Sequence, residues 1–295
     1  MDTNTVYCKY YIMEEIIEKN NPSGRIRSLF KKHLEIFFAL KIAYLKGRFS
    51  YTFNFYLELI GAFASICVWL LGMKFALEKF GSLAGWEFKD ILLMVSLFYM
   101  SWTIASMFCL HITNIVFEVR DGSFIKYLIR PFSPLFMYIS SSFPISTLGS
   151  ALSSIIMFFW AIKINNIHFN LLDIIFIIYS IIGGAFIIAG TFILNSGLAF
   201  KNIDTTNTFE NSLGVAREMS RFPLKIYPWY LKWILLTIIP YGLVAYVPIH
   251  FIMHKPLLDL PPVLIIISPI IGVIYFILCW RIWGYFLKQY DATGS

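Results

Sequence analysis

The chain has 295 residues, 58% of them hydrophobic and 14% charged, with a formal net charge of +7. Soluble domains carry about 25% charged residues, so this composition, with a mean hydropathy of +0.71, excludes an ordinary soluble fold. Nearly all of the chain is apolar stretch or short connection, which leaves no room for a large soluble catalytic domain. The basic residues sit at the ends of the apolar stretches, so the positive charge reads as positive-inside bias and not as a nucleic-acid surface.

Residues 1–27 carry Glu14, Glu15 and Glu18 without an apolar core or cleavage site, which predicts a polar cytoplasmic N-terminus and no signal peptide. Over 28–48, Leu29, Phe30, Leu34, Phe37, Phe38, Ile42 and Leu45 recur at helical spacing, with Lys31, Lys32, Glu35 and Lys46 largely elsewhere. That pattern predicts an amphipathic helix lying in the membrane surface. A transmembrane helix needs about 20 mostly apolar residues. The expected fold is an all-α integral membrane protein with spans near 49–73, 91–117, 134–161, 171–200, 205–224 and 262–287. Residues 28–290 then make one membrane domain, with 291–295 as a tail. Lys and Arg concentrate before the first span, between the second and third, and from Lys201 to Lys232. Both termini are therefore expected on the cytoplasmic side of the cell membrane.

Between the second and third spans, 118–134 reads EVRDGSFIKYLIRPFSP. Asp121 and Ser123 suit the cap of a short helix over 124–130, which Pro131 and Pro134 end. Lys126 and Arg130 share one face, Phe124, Tyr127 and Leu128 another. So short a helix is marginal alone; it packs on its own bundle or docks on a cytoplasmic partner. Residues 207–222 are helical in character but too polar for lipid, with Asn207 and Glu210 at capping-box spacing. Glu218 and Arg221 are spaced to pair, and Glu210 and Arg217 share a face. Two readings stay open. Either 207–222 is a cytoplasmic helix before a conventional span at 233–253, or it is a polar fifth span. In the second reading Pro240 and Pro248 break 232–253 into a re-entrant hairpin.

Catalytic signals are poor. The sequence has no GxxxxGK[ST] loop, no Gly-x-Ser-x-Gly elbow and no His-Glu-x-x-His. His250 and His254 stand four apart with no acid between them and no third ligand, so no metal site is expected. His111 reads as a polar contact inside the bundle. Glu58, deep in the first span, is a candidate for a substrate path or a helix–helix contact. Cys67, Cys109 and Cys279 fall in spans, without paired spacing.

Two stretches carry a resemblance. Residues 117–134, FEVRDGSFIKYLIRPFSP, resemble the first coupling segment of type-2 ATP-binding-cassette exporters, where a charged Gly-containing stretch leads into LxRPxSP. Residues 217–248, REMSRFPLKIYPWYLKWILLTIIPYGLVAYVP, look like the late signature of one branch of these permeases. The similarity covers about 25–290. It implies a permease that pairs with a second permease, identical or different, over two ATPase subunits that bind ATP and Mg, with no cofactor of its own. By that likeness the contacts to the ATPase are Arg120, Asp121, Phe124, Lys126, Tyr127 and Arg130, and 232–253 is an extracytoplasmic hairpin. Glu58, Glu210, Arg217, Glu218 and Arg221 are candidates for the path or the permease–permease interface. A lipid-modifying membrane enzyme would need clustered acids or histidines at one face, and a secondary transporter usually shows inverted repeats; neither is visible.

Overall fold

The structure is a computed structural model and describes residues 22–49, 52–129, 132–253, 255 and 260–290. The described residues form helices and no strand, apart from an isolated Leu83–Trp86 bridge at a turn. Among the described residues five helices are long and apolar enough to cross a membrane, or six if the bent pair over 229–252 counts as one span, and the all-α membrane fold follows.

Helix α1 (Pro22–Phe49) leads into α2 (Thr52–Phe80) and α3 (Phe88–Cys109). A 3-10 turn at Leu110–Asn114 and α4 (Ile115–Arg120) extend α3, so one candidate span covers Phe88–Arg120, beyond the predicted 91–117. Two short helices, α5 (Ile125–Leu128) and α6 (Pro134–Ser140), precede the long α7 (Ser146–Asn165) and α8 (Leu171–Leu198). The span expected at 134–161 is thus two helices. Pro144 lacks an N–H and biases Phe143 away from helical geometry, and the chain restarts at Ser146. Next come α9 (Ile203–Met219), α10 (Trp229–Thr237), α11 (Tyr246–Ile252) and α12 (Val263–Leu287).

Helix α1 turns the outer part of its apolar stripe, Leu34, Phe38 and Ile42, outward. Its other side packs on the bundle, with Phe37 stacked on Phe108 at 6.1 Å. Lys41 is buried there, donates to the Ser142 carbonyl and lies 5.8 Å from the Phe143 ring centroid. Burial pulls its ammonium down to about 8.

Glycine lets α8 and α12 approach closely. Gly183, Gly190 and Gly197 recur every seven residues on α8 and meet Pro269, then Tyr275 and Phe276, then Trp283 and Phe286 on α12. Membrane helices approach through such small residues because lipid supplies no hydrophobic drive for packing. Pro269 leaves the Ile265 carbonyl without its helical donor, and the Ser268 hydroxyl donates to that carbonyl at 3.2 Å.

The glycine contacts ascend in both helices, so α8 and α12 run parallel. The chain between them must therefore return from the Leu198 end of the bundle to the Phe88 end. The Phe88 end also holds the end of α7, where the Asn165 amide donates to the Lys89 carbonyl at 2.9 Å. On the return, α9 ascends antiparallel to α3, with Arg217 over Trp102 and Arg221 over Tyr99. By Leu224, Lys225 and Trp229 the chain shares a 210 Å³ cavity with Leu260, just before α12. It then dips again: α10 and the 241–252 helix meet at 79°. At this bend Tyr241 lies 6.0 Å from Phe98 in ring-centroid distance. The chain comes back to the Phe88 end through Phe251 on Phe176 at 4.2 Å and Lys255 on Asp90 at 2.5 Å. Pro240 makes the bend, while Pro248 sits in the first turn of α11, where its missing N–H has no partner to lose.

Candidate functional site

The segment joining α4 to α5 is built differently from its sequence expectation. Asp121 does not cap α5: its Oδ1 accepts from the Ser123 N–H at 2.9 Å, closing a turn through Gly122 at φ 75°. Hydrogen bonds from the Ser123 hydroxyl and N–H hold the Asp121 carboxyl below the usual carboxylate range. Lys126 reaches back to Glu118 at 3.1 Å.

The two aromatics expected to face a partner face inward. Phe124 is 0% exposed and Tyr127 6%. Phe124 packs on Phe200 at 5.0 Å and Tyr290 at 5.7 Å, which ties the segment to the ends of α8 and α12. Tyr127 packs on Tyr138 at 4.9 Å, and Tyr138 stacks on His111 at 4.8 Å, within the 3-10 turn of the long span. An aromatic pair costs less buried in its own bundle than exposed at a surface, and these two rings pack on the chain's own bundle. The apolar groups that α5 presents outward are Ile125, Leu128 and Ile129, the last 79% exposed. Arg120, Asp121 and Lys126 are exposed beside them. Arg130 lies outside the described residues.

The polar residues of α9 and its C-terminal flank form the second feature. The helix starts at Ile203, so Asn207 lies inside it and is exposed; no capping box forms there. Arg221 is 7% exposed, paired to Glu218 at 2.6 Å and stacked between Trp69 at 4.9 Å and Tyr99 at 5.1 Å. Arg217 lies 5.0 Å from the Trp102 ring centroid, and its ion pair is with Glu218 at 3.5 Å, not with Glu210. Glu210 and Arg217 instead line one cavity of 170 Å³ with Trp102, Asn195 and Tyr241. Glu58 sits half-buried on α2, about 16 Å along that helix from Trp69 at 1.5 Å per residue. Arg217, Glu218 and Arg221 come together with the aromatics of α2 and α3. The pairing signal was legible in the sequence; the aromatic partners Trp69, Tyr99 and Trp102 were not, since aromatics are common in membrane helices.

Replacing Arg221 tests this packing. Arg221→Met is expected to lose two cation–π contacts and an ion pair, about 2 kcal/mol in total. Glu218→Gln, which leaves the stacking in place, should cost less than about 1 kcal/mol. Thermal unfolding in detergent measures both, and equal losses would refute stacking as the main term.

His250 brings its Nδ1 within 2.7 Å of the Tyr246 carbonyl oxygen and packs on Trp86 at 5.4 Å. His254 lies outside the described residues, among which no three His, Cys, Asp or Glu side chains group to hold a metal.

Residues 63–294 match the family model described as ABC-2 family transporter protein. The chain belongs to the ABC-2 transporter family. The match spans every candidate membrane helix from the first half of α2 onward, as well as the α4–α5 segment. No curated protein and no solved structure matched the chain. This ABC-2 permease is a multi-pass membrane protein with a transport role, the kind of membrane component that works with an ATP-binding-cassette ATPase in a lipid bilayer.

Proposed function

We propose that this ABC-2 permease is the membrane half of an ATP-driven exporter of the cell membrane. A second permease, identical or different, pairs with it, and two separate ATPase subunits bind ATP and Mg. Both termini and the α4–α5 segment face the cytoplasm, and α5 receives the ATPase. The observation that carries this reading is the exposed ridge of Ile125, Leu128 and Ile129 on a four-residue helix held to the bundle from behind. An apolar ridge flanked by Arg120 and Lys126 suits a groove on a soluble partner.

The mechanism follows from what the ridge is tied to. A push on α5 passes through Tyr127 and Tyr138 to His111 in the 3-10 turn. It also passes through Phe124 to the ends of α8 and α12. A 3-10 stretch inside a helix has poorer hydrogen bonds than its flanks and is a place for bending. Leu110 and Thr113 of that turn line the 170 Å³ cavity, so bending there changes the cavity wall. ATP closure moves the bundle only through contacts that differ between its states; this chain of rings is the route for them.

We further propose that α9 is the fifth crossing and that 229–252 is a re-entrant hairpin entered from outside. Support comes from the parallel course of α8 and α12 and from the shared cavity of Lys225 and Trp229 with Leu260. The outer side of α9, with Asn207, Glu210, Asn211 and Ser212 exposed, is too polar for lipid. It faces the path or the second permease. Cysteines placed at Lys225 or Tyr230 in a cysteine-free background should react with an impermeant maleimide added outside intact cells. Labelling only from the cytoplasmic side would refute the hairpin. Co-purification should recover an ATP-binding-cassette ATPase with the chain, and ATP hydrolysis by the purified chain alone would count decisively against the half-transporter reading.

A further inference from the structure

The 170 Å³ cavity between α3, α8, α9 and the 79° bend has an unusual polar wall. Asn195 lines it, is 0% exposed, and has neither amide atom hydrogen-bonded. A buried amide left unpaired is destabilising, so the site retains a group that packing alone would not select. The other polar groups of the wall can be assigned by their existing bonds. The Thr113 hydroxyl donates to the Leu110 carbonyl at 2.8 Å, which leaves its oxygen an acceptor. The Thr191 hydroxyl donates to the Ile188 carbonyl at 2.7 Å. In its 2.8 Å contact with Tyr241 the phenol is therefore the donor, and the Tyr241 oxygen also remains an acceptor. The Nε–H of Arg217 is turned to Glu218, whose Oε1 lies 3.5 Å away.

Charge narrows the ligand further. Arg217 and Arg221 are offset by Glu218, paired to both, and by Glu210, which is exposed at the cavity's edge. Of these four, only Arg217 and Glu210 line the cavity, and one charge of each sign leaves no net field to select a lone anion or cation. What the wall offers is a free N–H and a free C=O on one side chain, with further acceptors beside them. The complement is another amide. At about 30 Å³ per water, the volume is that of five or six waters. That is room for a head group but not for a whole amphiphile.

We propose that this cavity binds a neutral carboxamide head group, of the kind a peptide or acylated amide carries, with Asn195 as the pairing group. Trp102, Phe192 and Leu213 supply the apolar remainder of the wall. That the bound molecule is cargo rests on the transport reading above; the binding does not.

The test uses the full chain in phosphatidylcholine nanodiscs, with tritiated decanamide as probe and decanoate and decyltrimethylammonium as competitors. Decanamide should bind, and the two charged competitors should displace it at least tenfold less well than unlabelled decanamide. Asn195→Leu should weaken binding at least tenfold with an unchanged or raised unfolding temperature. Gly214→Leu, where an added side chain begins in open space at the cavity wall, should block binding without disturbing the packing. Tighter binding of either charged probe would overturn the amide assignment. Normal decanamide binding in both variants would overturn the site itself and leave a water-filled cavity. If the binding pattern holds but the permease with its ATPase moves no decanamide, the cargo reading fails and the site stands.

Discussion

Gly183→Ala should prevent α12 from seating on α8, at a cost of about 3 kcal/mol or more. The added Cβ would stand 2.2 Å from the Pro269 Cα and 2.3 Å from its Cβ. Neither atom is the end of a flexible side chain, and the pyrrolidine ring fixes its own backbone. Helix α12 must therefore shift as a body, and Gly272 cannot follow, since a position equivalent to its Cβ lies 2.2 Å from the Gly183 carbonyl oxygen. Overpacking a well-filled contact typically costs about 1–3 kcal/mol, and rigid backbone on both sides puts this site at the upper end. Gly190→Ala meets the Tyr275 ring at 3.0 Å, which can turn, and the Phe276 Cα at 3.2 Å, which must give by a few tenths of an ångström, so a loss of about 1–2 kcal/mol, smaller than at Gly183, is expected. Gly284→Ala, with nothing within 4 Å, should stabilise α12 by about 0.5–1 kcal/mol. Thermal unfolding of the three variants in one detergent gives the order. Were Gly183→Ala as stable as Gly284→Ala, the α8–α12 contact would have to be wrong.

Much of the membrane architecture was legible because it follows from length and hydropathy. α8 and α12 fall within two residues of their predicted spans, since nothing inside 171–198 or 263–287 competes with a continuous apolar helix. The break inside 134–161 was not legible because Pro144 and the serines before it are not polar enough to lower the hydropathy, yet they end α6 and restart the chain as α7. The seven-residue glycine spacing on α8 was present in the sequence as well. It gains meaning only against Pro269, Phe276 and Trp283, which lie more than 80 residues further on at the same spacing. Asn195 and Lys41 were invisible as special positions for a simpler reason. One polar residue in an apolar run says nothing about what its side chain meets, and burial is decided by the packing partner.

In the α4–α5 segment the faces were legible from spacing, but which of them meets the bundle was not. Helical spacing put Phe124, Tyr127 and Leu128 on one side and left open whether that side packs on the bundle or docks on a partner. Gly122, at φ 75°, lets the chain turn back before α5, which lays Phe124 onto the bundle and Ile125, Leu128 and Ile129 outward. Two classes of variant should therefore separate. Phe124→Ala removes a fully buried ring that packs on Phe200 and Tyr290, and should cost about 3–5 kcal/mol of stability. Changing Ile125, Leu128 and Ile129 together to Ser leaves Phe124 and Tyr127 seated on the bundle, so the unfolding temperature should fall by far less than in Phe124→Ala. Truncation of well-packed interface anchors typically costs at least about 2 kcal/mol of binding, so the triple variant should lose its ATPase at least about thirtyfold. The measurements are thermal unfolding of the chain alone and pull-down of the ATPase at several concentrations. If Phe124→Ala folds normally and loses the ATPase while the triple variant keeps it, the docking face is the one that this structure turns inward, and the ring-to-ring route from α5 to the 3-10 turn falls with it.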